Sequence, residues 1–153
     1  MRIVPKLLVL LLCLWPSLAP AMETQRLFIT TPDGVEHVFT VEVARTPEEQ
    51  KRGLMFRTTL AADAGMLFIK PAPQPVALWM DNTLLPLDML FVRADLTLAG
   101  IHANAKPLDR TPIRSPGPVI AVIEIAGGQA AARGIVPGSR IRAAALFNPG
   151  HSR

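Results

Sequence analysis

From Val35 to Ala44 apolar and polar positions alternate. Val35, Phe39, Val41 and Val43 fall on one side, and Glu36, Thr40 and Glu42 on the other. A period of two marks a half-buried β-strand. The turn signal Pro32-Asp33-Gly34 precedes it, and Arg26 to Thr30 before that turn reads as the first arm of a hairpin. Thr46-Pro47-Glu48-Glu49 then predicts a helix start: Thr46 caps free N–H groups, Pro47 suits the first helical position, and Glu49 closes a capping box. Gly53 stops that helix after about two turns. Leu54-Met55-Phe56-Arg57 and Gly65 to Ile69 are apolar patches, and Pro71, Pro73 and Pro75 predict an extended edge or linker.

Val76 to Met80 and Leu87 to Val92 are further strand candidates, and Leu96 to His102 can pair with the latter through a turn near Asp95. Residues 103–118 hold four prolines and three basic residues and read as a long loop, a kind of segment that is often functional. Val119 to Ala126 is the strongest strand pattern in the chain. Gly127-Gly128 punctuates it, Gln129 to Arg133 suits one helical turn, and Ile141 to Phe147 is the last strand expected. Short strands with two brief helices predict a β-rich α+β fold: one small domain, a partly closed barrel or a two-layer sheet.

The start of the chain is different. Arg2 and Lys6 precede an apolar run from Leu7 to Trp15, followed by Ala19-Pro20-Ala21. That is the layout of a secretory signal peptide, and the run is shorter than the roughly 20 residues of a spanning helix. Cleavage after Ala21 meets the small-x-small rule, whereas cleavage after Ala19 would place Pro20 just past the scissile bond. The expectation is a leader over 1–21, a single domain over 22–153, and export to the periplasm or exterior with no membrane span left after cleavage. Retention as an N-terminal anchor is the alternative.

The one cysteine, Cys13, lies in the leader, so the mature chain has no thiol for disulfides, nucleophilic attack or metal ligation. Of 16 basic residues, loss of Arg2 and Lys6 leaves 14 against 12 acidic ones, a balance that points to no nucleic-acid partner.

Several segments carry a resemblance when taken together. They are Val41 to Thr46, Gly53 to Arg57, Gly65 to Phe68, Trp79-Met80-Asp81-Asn82-Thr83, Pro86 to Phe91, and Val122-Ile123-Glu124 with Gly127-Gly128. In that order, the set resembles an uncharacterised bacterial and archaeal family, number 192 among the domains of unknown function. The resemblance implies a small β-rich domain, often exported, and supplies no reaction.

Chemistry therefore has to be sought in single residues. Asp88 and Glu124 stand inside strands that are apolar on both faces, where a carboxylate is costly unless paired or hydrogen-bonded. Arg57 is the attractive partner for both. The functional reading is a polar pocket in which Arg57 clamps an anion, Asp88 or Glu124 accepts hydrogen bonds, and Asn82 and Thr83 complete recognition of a small polar or anionic ligand. The structural reading has the same groups tying loops and satisfying backbone donors, and it is the commoner fate of such residues. Trp79 could stack on a flat ligand, although its apolar neighbours favour core packing.

Met55, Met66, Met80 and Met89 are spaced like core gap-fillers rather than copper ligands, and His37, His102 and His151 lack zinc-ligand spacing. Ser115, Ser139 and Ser152 lie in no nucleophile elbow, and no phosphate-binding glycine loop occurs. Neither metal nor cofactor is expected. A non-catalytic binding or accessory domain leads. A hydrolase using Asp88 or Glu124 as general base (with Asp81 as a partner for Asp88) and a protein-interaction module using 103–118 are the alternatives. Oligomeric state is not legible in the sequence.

Overall fold

A computed structural model describes residues 21–147. The leader expected over 1–21 lies outside the described residues except for Ala21, as do His151 and Ser152.

The predicted hairpin forms. β1 (Thr24–Thr30) pairs antiparallel with β2 (Glu36–Ala44), Thr24 opposite Glu42 and Thr30 opposite Glu36. Thr31 N–H donates to the Val35 carbonyl at 2.9 Å, and Gly34 takes a φ of 90° in the turn. α1 (Pro47–Arg52) starts at the predicted capping box: Thr46 Oγ1 accepts from Glu49 N–H at 3.2 Å, and Glu49 Oε2 accepts from Thr46 N–H at 2.9 Å. The N–H groups of Thr46 and Arg45, which both donate to Glu49 Oε2, hold the Glu49 carboxyl below its ordinary range. No α1 residue is buried, so capping contributes much of what holds it. Thr46→Ala is expected to cost about 1 kcal/mol in urea unfolding, and an unchanged midpoint would mean that the cap is idle.

α1 is part of a crossover that returns the chain as β3 (Ala64–Gln74), parallel to β2 with Thr40 opposite Ala64 and Ala44 opposite Phe68. Pro71 and Pro73 lie in the far half of β3, beyond the last β2 pairing, and Pro75 follows its end, so their missing N–H groups remove no ladder bond to that neighbour. β3 also pairs antiparallel with β8 (Val119–Ala126), with a register shift between Ile69 and Gln74. β5 (Leu87–Val92) lies between β8 and β6 (Leu98–Ala105), and all six of its residues are buried. The strand order is β6-β5-β8-β3-β2-β1-β9, with β9 spanning Arg140–Ala143.

The two edges of this seven-stranded sheet approach each other. Thr97 bridges to Arg140, Leu98 N–H donates to the Ser139 carbonyl at 2.9 Å, and Ile141 N–H donates to the Leu96 carbonyl at 2.8 Å. The sheet is thus a curled half-barrel. Its inner face carries Leu27, Ile29, Phe39, Val41, Leu67, Leu90, Ile123, Ile125 and Ile141 in one core. A second core lies on the outer faces of β3, β5 and β8, where Met66, Phe68, Met89, Phe91 and Val122 meet Leu54 and Met80 from the loops. Over that outer core runs a two-stranded sheet of β4 (Ala77–Leu78) and β7 (Ile113–Arg114).

Three expectations need correction. The strand expected over Val76 to Met80 reduces to β4, after which the chain turns; Met80 is buried and Trp79 is 52% exposed, so Trp79 is no core residue. The 103–118 segment is not one free loop. Its start belongs to β6, it contains β7, and Leu108 N–H donates to the Thr83 carbonyl at 3.1 Å while the Asp109 carbonyl accepts from Met80 N–H at 2.8 Å. The last strand ends at Ala143, where Ala144–Phe147 becomes helix α3, joining α2 (Gln129–Ala132) as a third short helix. Alanine and leucine there favour helix, and the Gln25 side chain accepts Ala145 N–H at 3.0 Å.

Candidate functional site

Glu124 lies in the middle of β8, between Met66 of β3 and Met89 of β5. Gly65 permits this packing, because a Cβ there would stand 2.4 Å from the Glu124 carbonyl oxygen. Cross-strand partners share a face, so the Glu124 side chain projects with Met66 and Met89 toward the outer core. There it lines a cleft of about 410 Å3. The residue is only 6% exposed. Among the described residues no group donates a hydrogen bond or places a positive charge against its carboxylate, and burial pushes its pKa up to about 7. A carboxylate that is buried, unpaired and open to a cleft is a site candidate on physical grounds.

The cleft walls come from four places. α1 and its exit supply Gln50, Lys51, Arg52 and Leu54; β3 supplies Phe68 and Lys70; β4 leads to Leu78 and Trp79; and Thr83 comes from the following turn. Lys70 Nζ donates to Gln50 Oε1 at 2.7 Å, and Gln50 Nε2 donates to the Ile69 carbonyl at 2.7 Å. Desolvation lowers the Lys70 pKa, with no carboxylate raising it back. The cleft therefore has apolar walls, one buried acid at its floor, and Lys51, Arg52 and Lys70 as cations.

Of the residues expected to share a pocket, Glu124, Thr83 and Trp79 line this cleft. Thr83 is buried, and its hydroxyl donates to the Asp81 carbonyl at 3.1 Å. Asp88, Arg57 and Asn82 lie elsewhere. The register sets Asp88 opposite Ile125 and Met89 opposite Glu124, so the two acids project from opposite faces of the sheet. Asp88 faces the inner core, where Oδ1 accepts from the N–H groups of Asn104 at 2.8 Å and Gly128 at 3.0 Å, and Oδ2 accepts from Ala130 N–H at 2.8 Å. It anchors the start of α2. Asp81 does not join it as a hydrolytic pair, since its carboxylate meets Arg110 at 3.5 Å.

Arg57 meets neither predicted acid. It makes a bidentate pair with Glu42 of β2, Nη1 to Oε1 at 2.6 Å and Nη2 to Oε2 at 2.7 Å, which raises the guanidinium pKa further. Asn82 has a φ of 51°, is exposed, and offers its carbonyl to Phe56 N–H at 2.9 Å, a turn role that asparagine tolerates well. Phe56 also has a positive φ of 63° and is 66% exposed, so the bond its N–H donates to Asn82 helps to hold a costly conformation.

Sequence reading missed Lys70, Gln50 and Phe68 as cleft residues, and Glu42 as the partner of Arg57. Lys70 left a trace, being a lone cation that closes the apolar run from Gly65 to Ile69. Among the described residues, no three His, Cys, Asp or Glu side chains gather as a metal site. Nor is any described helix long and apolar enough to cross a membrane.

Known proteins bear on this geometry in two ways. A crystal structure from Sinorhizobium meliloti, of a protein named as a candidate transcription regulator, is 40% identical to the chain with a TM-score of 0.79; the match covers 81% of this chain and 96% of that one. A crystal structure of a protein of unknown function from Novosphingobium aromaticivorans is 43% identical with a TM-score of 0.77, covering 83% of this chain and 94% of that one. No curated protein matches the chain. The sequence profile of the DUF192 family, described as an uncharacterized ACR, matches residues 28–143. With the resemblance of its segments, the match and the fold in agreement, the chain belongs to the DUF192 family.

Proposed function

We propose that this protein is an exported binding domain that holds a small ligand, apolar in its body and polar at its ends, in the cleft over Glu124. One observation carries the reading: a carboxylate with 6% exposure stands at the floor of a cleft, and no group among the described residues is bonded to it. Burying such a group costs free energy that folding alone does not recover. A ligand that donates to it would recover that cost. The cleft volume falls in the range of roughly 300–1,000 Å3 typical of small-molecule sites. Export rests on the basic start, apolar run and Ala19-Pro20-Ala21 of the leader.

The regulator name carried by the Sinorhizobium relative would call for a recognition element that enters a nucleic-acid groove. The described helices have six, four and four residues, too short for the helical readers of DNA, which supports keeping nucleic acid outside this reading.

Trp79 is the only tryptophan after the leader, so its fluorescence reports on the cleft. In a screen of varied small molecules against the mature chain, compounds that raise the melting temperature should also change Trp79 emission, without being consumed. If every stabilising compound leaves that emission unchanged, the cleft is not the site.

A second reading has one observation in its favour. A pKa of about 7 suits Glu124 to give and take a proton near neutral pH. The hydrolase alternative then runs through Glu124, because the Asp88 carboxylate is committed to three backbone donors. Turnover of a cleft ligand, lost in Glu124→Gln with affinity retained, would favour catalysis over binding.

A further inference from the structure

We propose that the cleft selects a zwitterion: an amino acid or short peptide with an apolar body, whose ammonium group meets Glu124 and whose carboxylate meets Lys70 and the end of α1. The inference rests on the cleft being a binding site and names what it binds.

Charges of both signs face the cleft. Its single acid is Glu124, and its cations are Lys51 and Arg52 on α1 and Lys70 on β3. Among the described residues neither Glu124 nor Lys70 has an ionic partner. No described residue bonds the Glu124 carboxylate, and Lys70 Nζ is held by the neutral Gln50 oxygen at 2.7 Å. Both are already partly or wholly desolvated in the protein, so the attraction of a ligand charge is weakly screened there.

A plain cation would be repelled by the three positive groups that line the same cleft. A plain anion would be drawn to the rim but would leave the buried acid unpaired and worsen its cost. A neutral ligand would satisfy neither end. A molecule with one charge of each sign meets both requirements, and Leu54, Phe68, Leu78 and Trp79 supply apolar walls for the side chains it carries. Discrimination then comes from buried groups that the wrong ligand leaves unpaired, which is the strong form of selectivity.

The probes are leucine and leucyl-leucine, each with its N-acetyl derivative, which lacks the cation, and its carboxamide, which lacks the anion. Binding to the mature chain is read from Trp79 fluorescence and calorimetry. At least one parent should bind ten-fold or more tightly than both of its capped forms. Glu124→Gln should erase the advantage over the N-acetyl form, and Lys70→Met the advantage over the carboxamide.

Equal binding of parent and N-acetyl forms, or an advantage that survives Glu124→Gln, overturns the zwitterion while leaving the cleft as a site. Failure of all six probes at millimolar concentration also overturns it. Whether the underlying reading falls with it is decided by the broader screen, in which other compounds either do or do not change Trp79 emission.

Discussion

Replacing Glu124 with glutamine should change how stability depends on pH. Between pH 4.5 and pH 8, the difference in unfolding free energy between Glu124→Gln and wild type should move by about 3 kcal/mol in favour of the variant. The sign follows from the carboxyl pKa, which burial pushes from the ordinary 4.5 to about 7. In that window the folded chain keeps a proton that the unfolded chain has released, so raising the pH favours unfolding. The stability tied to the protonated acid is fully present below pH 4.5, is lost as the pH rises to 7, and changes little above that. Glutamine has the shape of the protonated acid and does not titrate.

The carboxyls of Asp33, Glu49, Asp95 and Asp109 are all held low by hydrogen bonds and lose stability in the opposite direction, as pH falls through the acid range. They are common to both proteins and cancel in the difference. Urea unfolding at several pH values measures it. Parallel stability curves would show that Glu124 is solvated or already paired, and the case for the cleft would lose its central observation. An ammonium-bearing ligand, if bound, should flatten the wild-type slope, because it stabilises the charged carboxylate.

The parts of the fold that were legible in the sequence are those governed by local chemistry. The alternation of β2, the Thr46 and Glu49 capping box, and the apolar runs of β5 and β8 each reappear at or near their expected bounds. What sequence could not give is pairing at a distance. The closure of the half-barrel depends on Thr97 meeting Arg140, and nothing local to either residue announces it. Trp79 leaves its expected place in the core for a related reason, while Met80 is buried as expected. β4 is two residues long, so the period of two breaks before it can place Trp79 inside.

The candidate site divides in the same manner. That Asp88 and Glu124 are special was readable from the cost of an acid in an apolar strand. Which face each one takes was not, because it depends on the register of β5 against β8, and a shift by one residue would reverse the answer. Arg57 was recognisable as a cation needing a partner. Its partner, Glu42, was hidden among the ordinary outward positions of β2, and only the parallel return of β3 after α1 brings the two segments together.

Asp88 is expected to be the most damaging polar residue to remove. Its two oxygens accept three backbone N–H groups, from Asn104 in β6, Gly128 and Ala130 at the start of α2, and the residue has no exposed surface. Hydrogen bonds to a charged acceptor contribute about 1.5–3 kcal/mol each, and buried donors left without a partner add their desolvation cost. Asp88→Ala should therefore lower the unfolding free energy by about 4 kcal/mol, a large share of the 5–15 kcal/mol typical of a domain. Asp88→Asn keeps one acceptor oxygen for Asn104 and Gly128 but turns an amide toward the Ala130 N–H, and about 2 kcal/mol should be lost. The graded pair separates a structural anchor from a proton-transfer group. An anchor gives stability losses in that order and leaves binding at the cleft intact in whatever remains folded, because Asp88 and Glu124 project from opposite faces of the sheet. Near-wild-type stability in both variants, with loss of ligand response, would instead return Asp88 to the site.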